Sequence, residues 1–399
     1  MITTVDLFAG CGGLTEGFKQ TNQYEMLAAV EWDKDACNTL RHRLTSRYRY
    51  TDAEKRCILF DIQKTSCLID GAEEIPRSLS ELVKPRGLDV VIGGPPCQAY
   101  SVAGRIRDAN GMHDDYRNYL FESYIKVVER FKPKACIFEN VPGMLSAAPG
   151  GVSIVDRVTA AFEKIGYCVS NDLKGQALFD VSQFGVPQKR KRIIIAAFRK
   201  DAFSDSKAVL ARFYEHLNQE KETKVKTVKD ALHDLPKIVP LDAPSKGSSH
   251  ALIDNTIVGL LDHEPRYHND RDVKIFKTLA RDIETGECKY TSSEALKELY
   301  TQMTGKTSSV HKYYVLRNEL PSNTIPAHLY KDGLRHIHPD SEQARSITVR
   351  EAARLQSFPD DFEFSGPNGS KYKMIGNAVP PTFARKIGKA LYRALGNEN

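Results

Sequence analysis

With 399 residues, 41% of them hydrophobic, the chain holds ample material for a buried core, and at ~100–200 residues per domain it predicts two domains. No apolar run approaches the ~18 residues of a membrane span, and the opening MITTVDLF is not a charged segment leading into a long apolar one. A membrane span and a secretory leader are therefore not expected, and an intracellular, soluble protein is; the net charge of +6 admits a polyanionic partner without demanding one.

Five short apolar runs, at residues 2–8, 26–30, 57–60, 88–92 and 135–138, alternate with polar stretches of helical spacing such as 35–46 and 119–131. Continuous apolar strands separated by helices predict a parallel sheet covered on both faces. Each run finishes in Gly, Pro, Asp, Glu or Cys rather than in more apolar residues. In an open α/β sheet, ligands bind beyond the carboxyl ends of the strands, so the chemistry is expected along one edge.

The first run leads into Gly10, Cys11, Gly12 and Gly13, where the backbone can turn tightly and approach a ligand. The G-x-G-G spacing is not the dinucleotide G-x-G-x-x-G, and no Gly-Lys-Ser/Thr follows to make a phosphate loop. The second run ends in Glu31, 21 residues after Gly10, at a distance that suits ribose hydroxyls. Trp32, the only tryptophan, follows and offers a flat face to a purine, and Asp61 at the third strand end can accept a hydrogen bond from an exocyclic amine. Each of these residues alone reads as core or solvated loop; together they point to an adenosine-containing cofactor without a pyrophosphate clamp.

The fourth run ends in Gly93-Gly94-Pro95-Pro96-Cys97-Gln98. Two prolines stiffen the approach to Cys97, which is placed for reaction rather than packing, and Arg105 and Arg107 downstream provide positive charge that favours a thiolate. The fifth ends in Glu139-Asn140, and a further apolar strand spans 192–198. From 200 to 344 the chain turns polar with weak periodicity, an amphipathic helix is expected at 346–358 with Pro359 ending it, and a last helix at 381–395. None of the eight cysteines forms a C-x-x-C or falls in zinc spacing with histidine, so no metal is expected.

Taken in order, DLFAGCGGLTEGF from Asp6, GPPCQAYS from Gly94, Glu139-Asn140-Val141, QKRKR from Gln188, REAARLQ from Arg350 and GNAVP from Gly376 resemble the motif set of the cytosine-5 DNA methyltransferases of the prokaryotic restriction-modification type. The resemblance covers about residues 1–200 and 345–390. It implies a Rossmann-like α/β fold with an inserted, smaller, mixed target-recognition domain. The expected limits are a catalytic domain at 1–199, target recognition at 200–345, and a hinge helix with a returning C-terminal segment at 346–399.

By the same resemblance, Cys97 is the thiolate that adds to cytosine C6. Glu139 holds the base at N3 and N4, and Arg190 and Arg192 orient base and nucleophile, with Arg192 the nearer to O2. The cofactor is S-adenosylmethionine, leaving as S-adenosylhomocysteine. It is expected to touch Phe8, Gly10, Cys11 and Gly13 on the first loop, Glu31, Trp32, Asp61 and Ile62 at the next strand ends, and Pro96, Leu120 and Asn377 beyond. An in-helix cytosine cannot be reached from both faces, so the base must be turned out of double-stranded DNA. The loop from Gln98 to about His113 would close over it, with Gln98 filling the gap and Ser101, Arg105 and Arg107 meeting phosphates. Ala99-Tyr100 departs from the family's usual glycine and phenylalanine there.

The middle segment is charge-balanced at first and basic after about residue 302, where Tyr313, Arg317 and their neighbours interleave aromatic and cationic side chains in a manner suited to groove reading. The implied protein is a monomer in a prokaryotic cytoplasm, associated with the nucleoid through DNA and paired with a restriction endonuclease. A transfer-RNA methyltransferase of the same family is the nearest alternative, although its middle segment is usually shorter. A catalytically dead DNA-binding protein on this scaffold is another, and a nicotinamide oxidoreductase is excluded by the glycine spacing.

Overall fold

The computed structural model describes residues 1–96, 120–148, 151–245, 247–253, 260–309, 312–331 and 333–396. Eight strands make one sheet: β1 Ile2–Leu7, β2 Tyr24–Glu31, β3 Cys57–Leu59, β4 Val90–Gly93, β5 Ala135–Asn140, β6 Tyr167–Val169, β7 Leu178–Asp180 and β8 Lys191–Arg199. Their order is β3-β2-β1-β4-β5-β8-β6, with β7 on β8. The first five are mutually parallel, and β8 runs antiparallel to β5, β6 and β7. The sequence run at 192–198 is thus a strand whose N-terminus, not its C-terminus, lies at the functional edge.

Apolar continuity explains the central strands. Residues 193–198 of β8 and 135–137 of β5 are wholly buried, as expected of strands covered on both faces. Order reverses between β1 and β4, where Leu7 pairs with Gly93. Such a reversal opens a crevice beyond the carboxyl ends, because the two connections leave in opposite directions.

Numbering the helices of seven or more residues, α1 Gly13–Lys19, α2 Lys34–Ser46, α3 Leu120–Phe131, α4 Ile154–Lys164 and α5 Ser206–Gln219 accompany this sheet. Asp33 caps α2, its carboxylate accepting from the N–H groups of Asp35 (3.1 Å) and Ala36 (3.2 Å). The chain divides into two compact units: 1–185, 190–223 and 378–399 form the first, and 186–189 and 224–377 the second. In the first, the C-terminal helix α10, Pro381–Gly396, packs on α1, and Tyr24 Oη donates to the Gly388 carbonyl at 2.7 Å.

The second unit holds a hairpin, β9 Ile238–Ser245 with β10 Ser248–Leu252, and helices α6 Asp270–Glu284, α7 Ser293–Thr304, α8 Val349–Leu355 and α9 Asn368–Asn377. Helix α8 is shorter than the expected 346–358. Thr348 and Glu351 form a capping box that sets its start, and Ser357 at φ 66° ends it before Phe358. Glu351 also takes a bidentate pair from the fully buried Arg345, both contacts at 2.7 Å. Among the described residues, no helix is long and apolar enough to cross a membrane, and no group of three His, Cys, Asp or Glu could hold a metal ion.

Candidate active site

The loop after β1 begins at Phe8, whose φ of 59° is left-handed and strained for an aromatic residue. Gly10, at φ 56°, takes the same region without strain, and a Cβ on it would meet nothing within 4 Å. Open space therefore fronts the loop. The Gly10 N–H donates to Glu31 Oε2 at 2.7 Å and the Asp33 N–H to Glu31 Oε1 at 2.8 Å. Burial raises the Glu31 pKa, while these N–H donors favour its charged form. The carboxylate is thereby locked in one orientation, with lone pairs left for a hydroxyl.

Trp32 is 65% exposed, so it is not a core residue. Asp61 is partly exposed, with Oδ1 accepting from the Gln63 N–H at 3.0 Å, and Ile62 is buried beside it. Beneath the loop, the wholly buried Asp6 accepts from Thr15 Oγ1 at 2.6 Å, and burial pushes its pKa up to about 7. Cys11 is buried, with its thiol pushed far up by desolvation, so it packs rather than reacts.

Across the switch point, β4 delivers Gly94 and Pro95 against the end of β5. A Cβ on Gly94 would stand 2.6 Å from Glu139 Oε2, so only glycine lets the two strand ends approach this closely. Asn140 Nδ2 donates to the Pro95 carbonyl at 3.4 Å, and the Val141 N–H donates to Asn140 Oδ1 at 2.8 Å. Glu139 pairs with Arg192, Nε to Oε1 at 2.7 Å, each side chain about 11% exposed. Arg190 is almost fully buried, and one guanidinium nitrogen donates to the Ala378 carbonyl at 3.1 Å. Beside the Gly-Pro-Pro tip of β4, a carboxylate held by a guanidinium at the end of β5 can grip the edge of a planar amidine-like ring.

A family model for the C-5 cytosine-specific DNA methylases matches residues 2–393. The chain belongs to that family. It is 31% identical to the type II methyltransferase M.Bpa9945I of Bacillus paralicheniformis, over 97% of this chain and 98% of that one. It is 30% identical to M.AgeI of Thalassovita gelatinovora, over 98% and 99%. An E. coli prophage protein whose structure is assigned as a DNA modification methyltransferase superposes with TM-score 0.62 at 25% identity, over 99% of both chains.

The protein is accordingly a DNA cytosine-5 methyltransferase with a Rossmann-like fold, and its family implies methylation dependent on S-adenosylmethionine. The residues beyond β1, β2 and β3 fit that group. An open space before Gly10, a fixed Glu31 carboxylate, an exposed indole and a second carboxylate at Asp61 match a ribose, a purine and an exocyclic amine.

Other expected residues are distributed unevenly. Cys97, Gln98, Ser101, Arg105 and Arg107 lie outside the described residues. Pro96 follows Pro95 at the β4 tip, and Leu120 is buried at the start of α3. Asn377 is exposed at the end of α9, in the second unit. Arg317 donates to the Val315 carbonyl at 3.0 Å and lies over the Tyr314 ring, whereas Tyr313 lines a cavity of about 620 Å³ in the second unit. That cavity also takes Arg266, Arg271, Tyr267 and Tyr300, which lie before residue 302 and so outside the basic-aromatic segment of the sequence. Gln188, opening the QKRKR motif, is wholly buried in the second unit, donating to Gln356 Oε1 at 2.5 Å and accepting from the Ile325 N–H at 3.1 Å.

Proposed function

We propose that the protein methylates C5 of a cytosine turned out of a specific double-stranded DNA sequence, through a covalent bond between Cys97 and C6. The Arg192–Glu139 pair, at the β5 and β8 ends beside the β4 tip that leads into Cys97, carries this reading. C5 of cytosine is a weak nucleophile. Addition of the Cys97 thiolate to C6 moves electron density onto C5, splitting one hard step into two. Glu139 holds N3 and the N4 amine and supplies the N3 proton, so negative charge does not build on the ring. Arg192 keeps that carboxylate in place and faces O2, and Arg190 serves with it to orient the base and Cys97.

S-Adenosylmethionine, when bound, supplies the methyl group as an electrophile. Glu31 would hold its ribose, Trp32 its purine face and Asp61 its exocyclic amine, with Phe8, Gly10, Cys11, Gly13, Ile62, Pro96, Leu120 and Asn377 around them. After transfer, loss of the C5 proton expels Cys97 and restores the thiolate. Gln98, Ser101, Arg105 and Arg107 serve the loop that closes on DNA, and Tyr313 and Arg317 belong to the target-recognition segment. The similarity to type II methyltransferases supports a modification enzyme, and we propose that it works as a monomer and protects host DNA against an endonuclease.

Bisulfite sequencing of DNA from cells expressing the gene tests the activity and yields the recognised sequence. Duplex carrying 5-fluorocytosine at that position should trap a covalent adduct on Cys97, because fluorine cannot leave as a proton does. Turnover by Cys97→Ala at the native rate would overturn the mechanism.

A further inference from the structure

The second unit's cavity has a composition that packing alone does not account for. Four tyrosines, Tyr267, Tyr300, Tyr313 and Tyr330, line a space of about 620 Å³. Four cations, Arg266, Arg271, Lys312 and Lys331, face it against the single carboxylate of Asp272. Arg271 already covers that carboxylate, Nη2 to Oδ1 at 2.9 Å. His268 adds no positive charge, since burial lowers its pKa to about 3, and Tyr313, pushed up to about 12, keeps its proton as a donor. The result is an anion-seeking hollow walled by flat rings.

Two of those rings are poised rather than buried. Tyr267 is 54% exposed and Tyr330 43% exposed, although large aromatic side chains gain by burial. Arg266 is fixed from behind. Its guanidinium donates to the Leu329 carbonyl at 2.8 Å and lies 4.1 Å from the centre of the Tyr372 ring, which holds this wall of the cavity. The walls are therefore preorganised, and the apolar faces that remain open are aromatic. A phosphate alone would need the cations but not the tyrosines. A base alone would need the rings but not the charge surplus. A nucleotide uses both, with its base on the aromatic faces and its phosphate among the lysines and arginines.

We infer that this cavity holds one nucleotide of the DNA substrate, other than the target cytosine, with its base stacked on Tyr267 and Tyr330 and its phosphate met by Lys312, Lys331 and Arg271. The inference rests on the DNA-methylating function proposed above and makes the cavity a determinant of how the bound duplex is held at one position. Because stacking tolerates every base, the contribution is to geometry and affinity at one position more than to reading that base.

The test uses the full-length enzyme and the duplex defined by bisulfite sequencing. An abasic residue is placed at each position of the site outside the target cytosine, and the dissociation constant is measured for the native enzyme and for Tyr267→Ala/Tyr330→Ala. Tyr267 and Tyr330 are about half exposed, so the double variant should stay within a few degrees of native melting and keep cofactor affinity. Stacking of one base predicts that the native enzyme loses about tenfold or more in affinity at one abasic position. The double variant should bind intact duplex that much more weakly and show no further loss at that position. A variant that binds intact duplex like the native enzyme overturns the inference. So does a variant whose added loss is the same at every position, which would mean backbone contact alone. Deoxynucleoside monophosphates are titrated in parallel. Tyrosine-dependent binding of these with unchanged DNA affinity would assign the cavity to a free nucleotide and also overturn it. If the native enzyme fails to methylate any duplex, the functional reading falls instead, a result separable from all of these.

Discussion

Arg192 Nε stands 2.7 Å from Glu139 Oε1, with both side chains nine-tenths shielded from water, and the antiparallel entry of β8 beside the exit of β5 creates that contact. A charge-assisted bond in a partly desolvated crevice is shorter and stronger than a neutral one, and it fixes the carboxylate in one rotamer. Its neighbour Gly94 leaves the space that the carboxylate occupies, since a Cβ there would stand 2.6 Å from Oε2.

Gly94→Ala should therefore be a catalytic rather than a folding lesion. The added methyl would stand 2.6 Å from Glu139 Oε2 and must move the carboxylate off its guanidinium. Methyl transfer should fall by about 100-fold or more, the scale of a misplaced general acid–base group, with melting within a few degrees of native. Arg192→Ala should fall comparably and Arg192→Lys recover part of the loss. Single-turnover rates with labelled cofactor check this, and a Gly94→Ala rate within threefold of native would refute the crowding argument.

Cofactor affinity should separate from chemistry at the other side of the switch point. Glu31→Gln weakens the acceptor to which the Gly10 and Asp33 N–H groups donate, and Trp32→Ala removes an exposed ring that folding does not need. Each should weaken cofactor binding by about ten-fold, corresponding to ~1.4 kcal/mol for a lost hydrogen bond or ring contact, with melting of the free enzyme little changed for Trp32→Ala. Equilibrium dialysis with labelled cofactor measures it; native affinity in Trp32→Ala would remove the indole from the site.

Acid should destabilise the second unit early. Burial lowers the imidazoles of His268, His336 and His338 to about 3, 4 and 4 from the ordinary 6.5. Above pH 6.5 both folded and unfolded forms are neutral there, and the full stability is present. Below it the unfolded chain takes up protons that the folded one refuses, so stability falls with pH down to about 4. Three such groups give a slope of up to ~4 kcal/mol per pH unit near pH 5. Hydrogen exchange of α6 amides between pH 7.5 and 5 follows this unit, because Trp32 reports only the other one. Protection unchanged across that range, after correction for intrinsic exchange, contradicts the reading.

Arg345→Ala should unfold the second unit more readily than any surface change. It strands Glu351, whose carboxylate the Arg345 guanidinium and neighbouring imidazoles hold well below the usual range, at a site only 1% exposed. Removing one partner of a buried pair costs about 3–5 kcal/mol, because the other charge stays desolvated. Replacing both with well-packed Met and Leu should recover most of that loss. Urea titrations of the two variants distinguish the cases, and equal destabilisation would mean that packing, not charge, sets the penalty.

Much of the molecule was legible in one dimension. Parallel strands buried on both faces must be continuous apolar runs, and their tips must change to Gly, Pro and acidic residues where the backbone meets a ligand, so residues 2–8, 26–30 and 135–138 marked strands and Glu31 and Glu139 marked their ends. The order of the motifs fixed the family, because each strand tip carries its own chemistry. What the chain could not declare by itself was direction and distance. Nothing in the apolar run at 192–198 says that β8 enters the sheet antiparallel, yet only that reversal brings Arg192 to Glu139 from 53 residues away. Nor does local spacing reveal that Gln188 packs in the second unit while Arg190, two residues on, belongs to the first. Tyr267 and Tyr330 share a cavity only after the chain between them has folded. Periodicity reports the burial of a residue's own face; which distant face covers it is set by sheet order and packing, and these exist only in the folded chain.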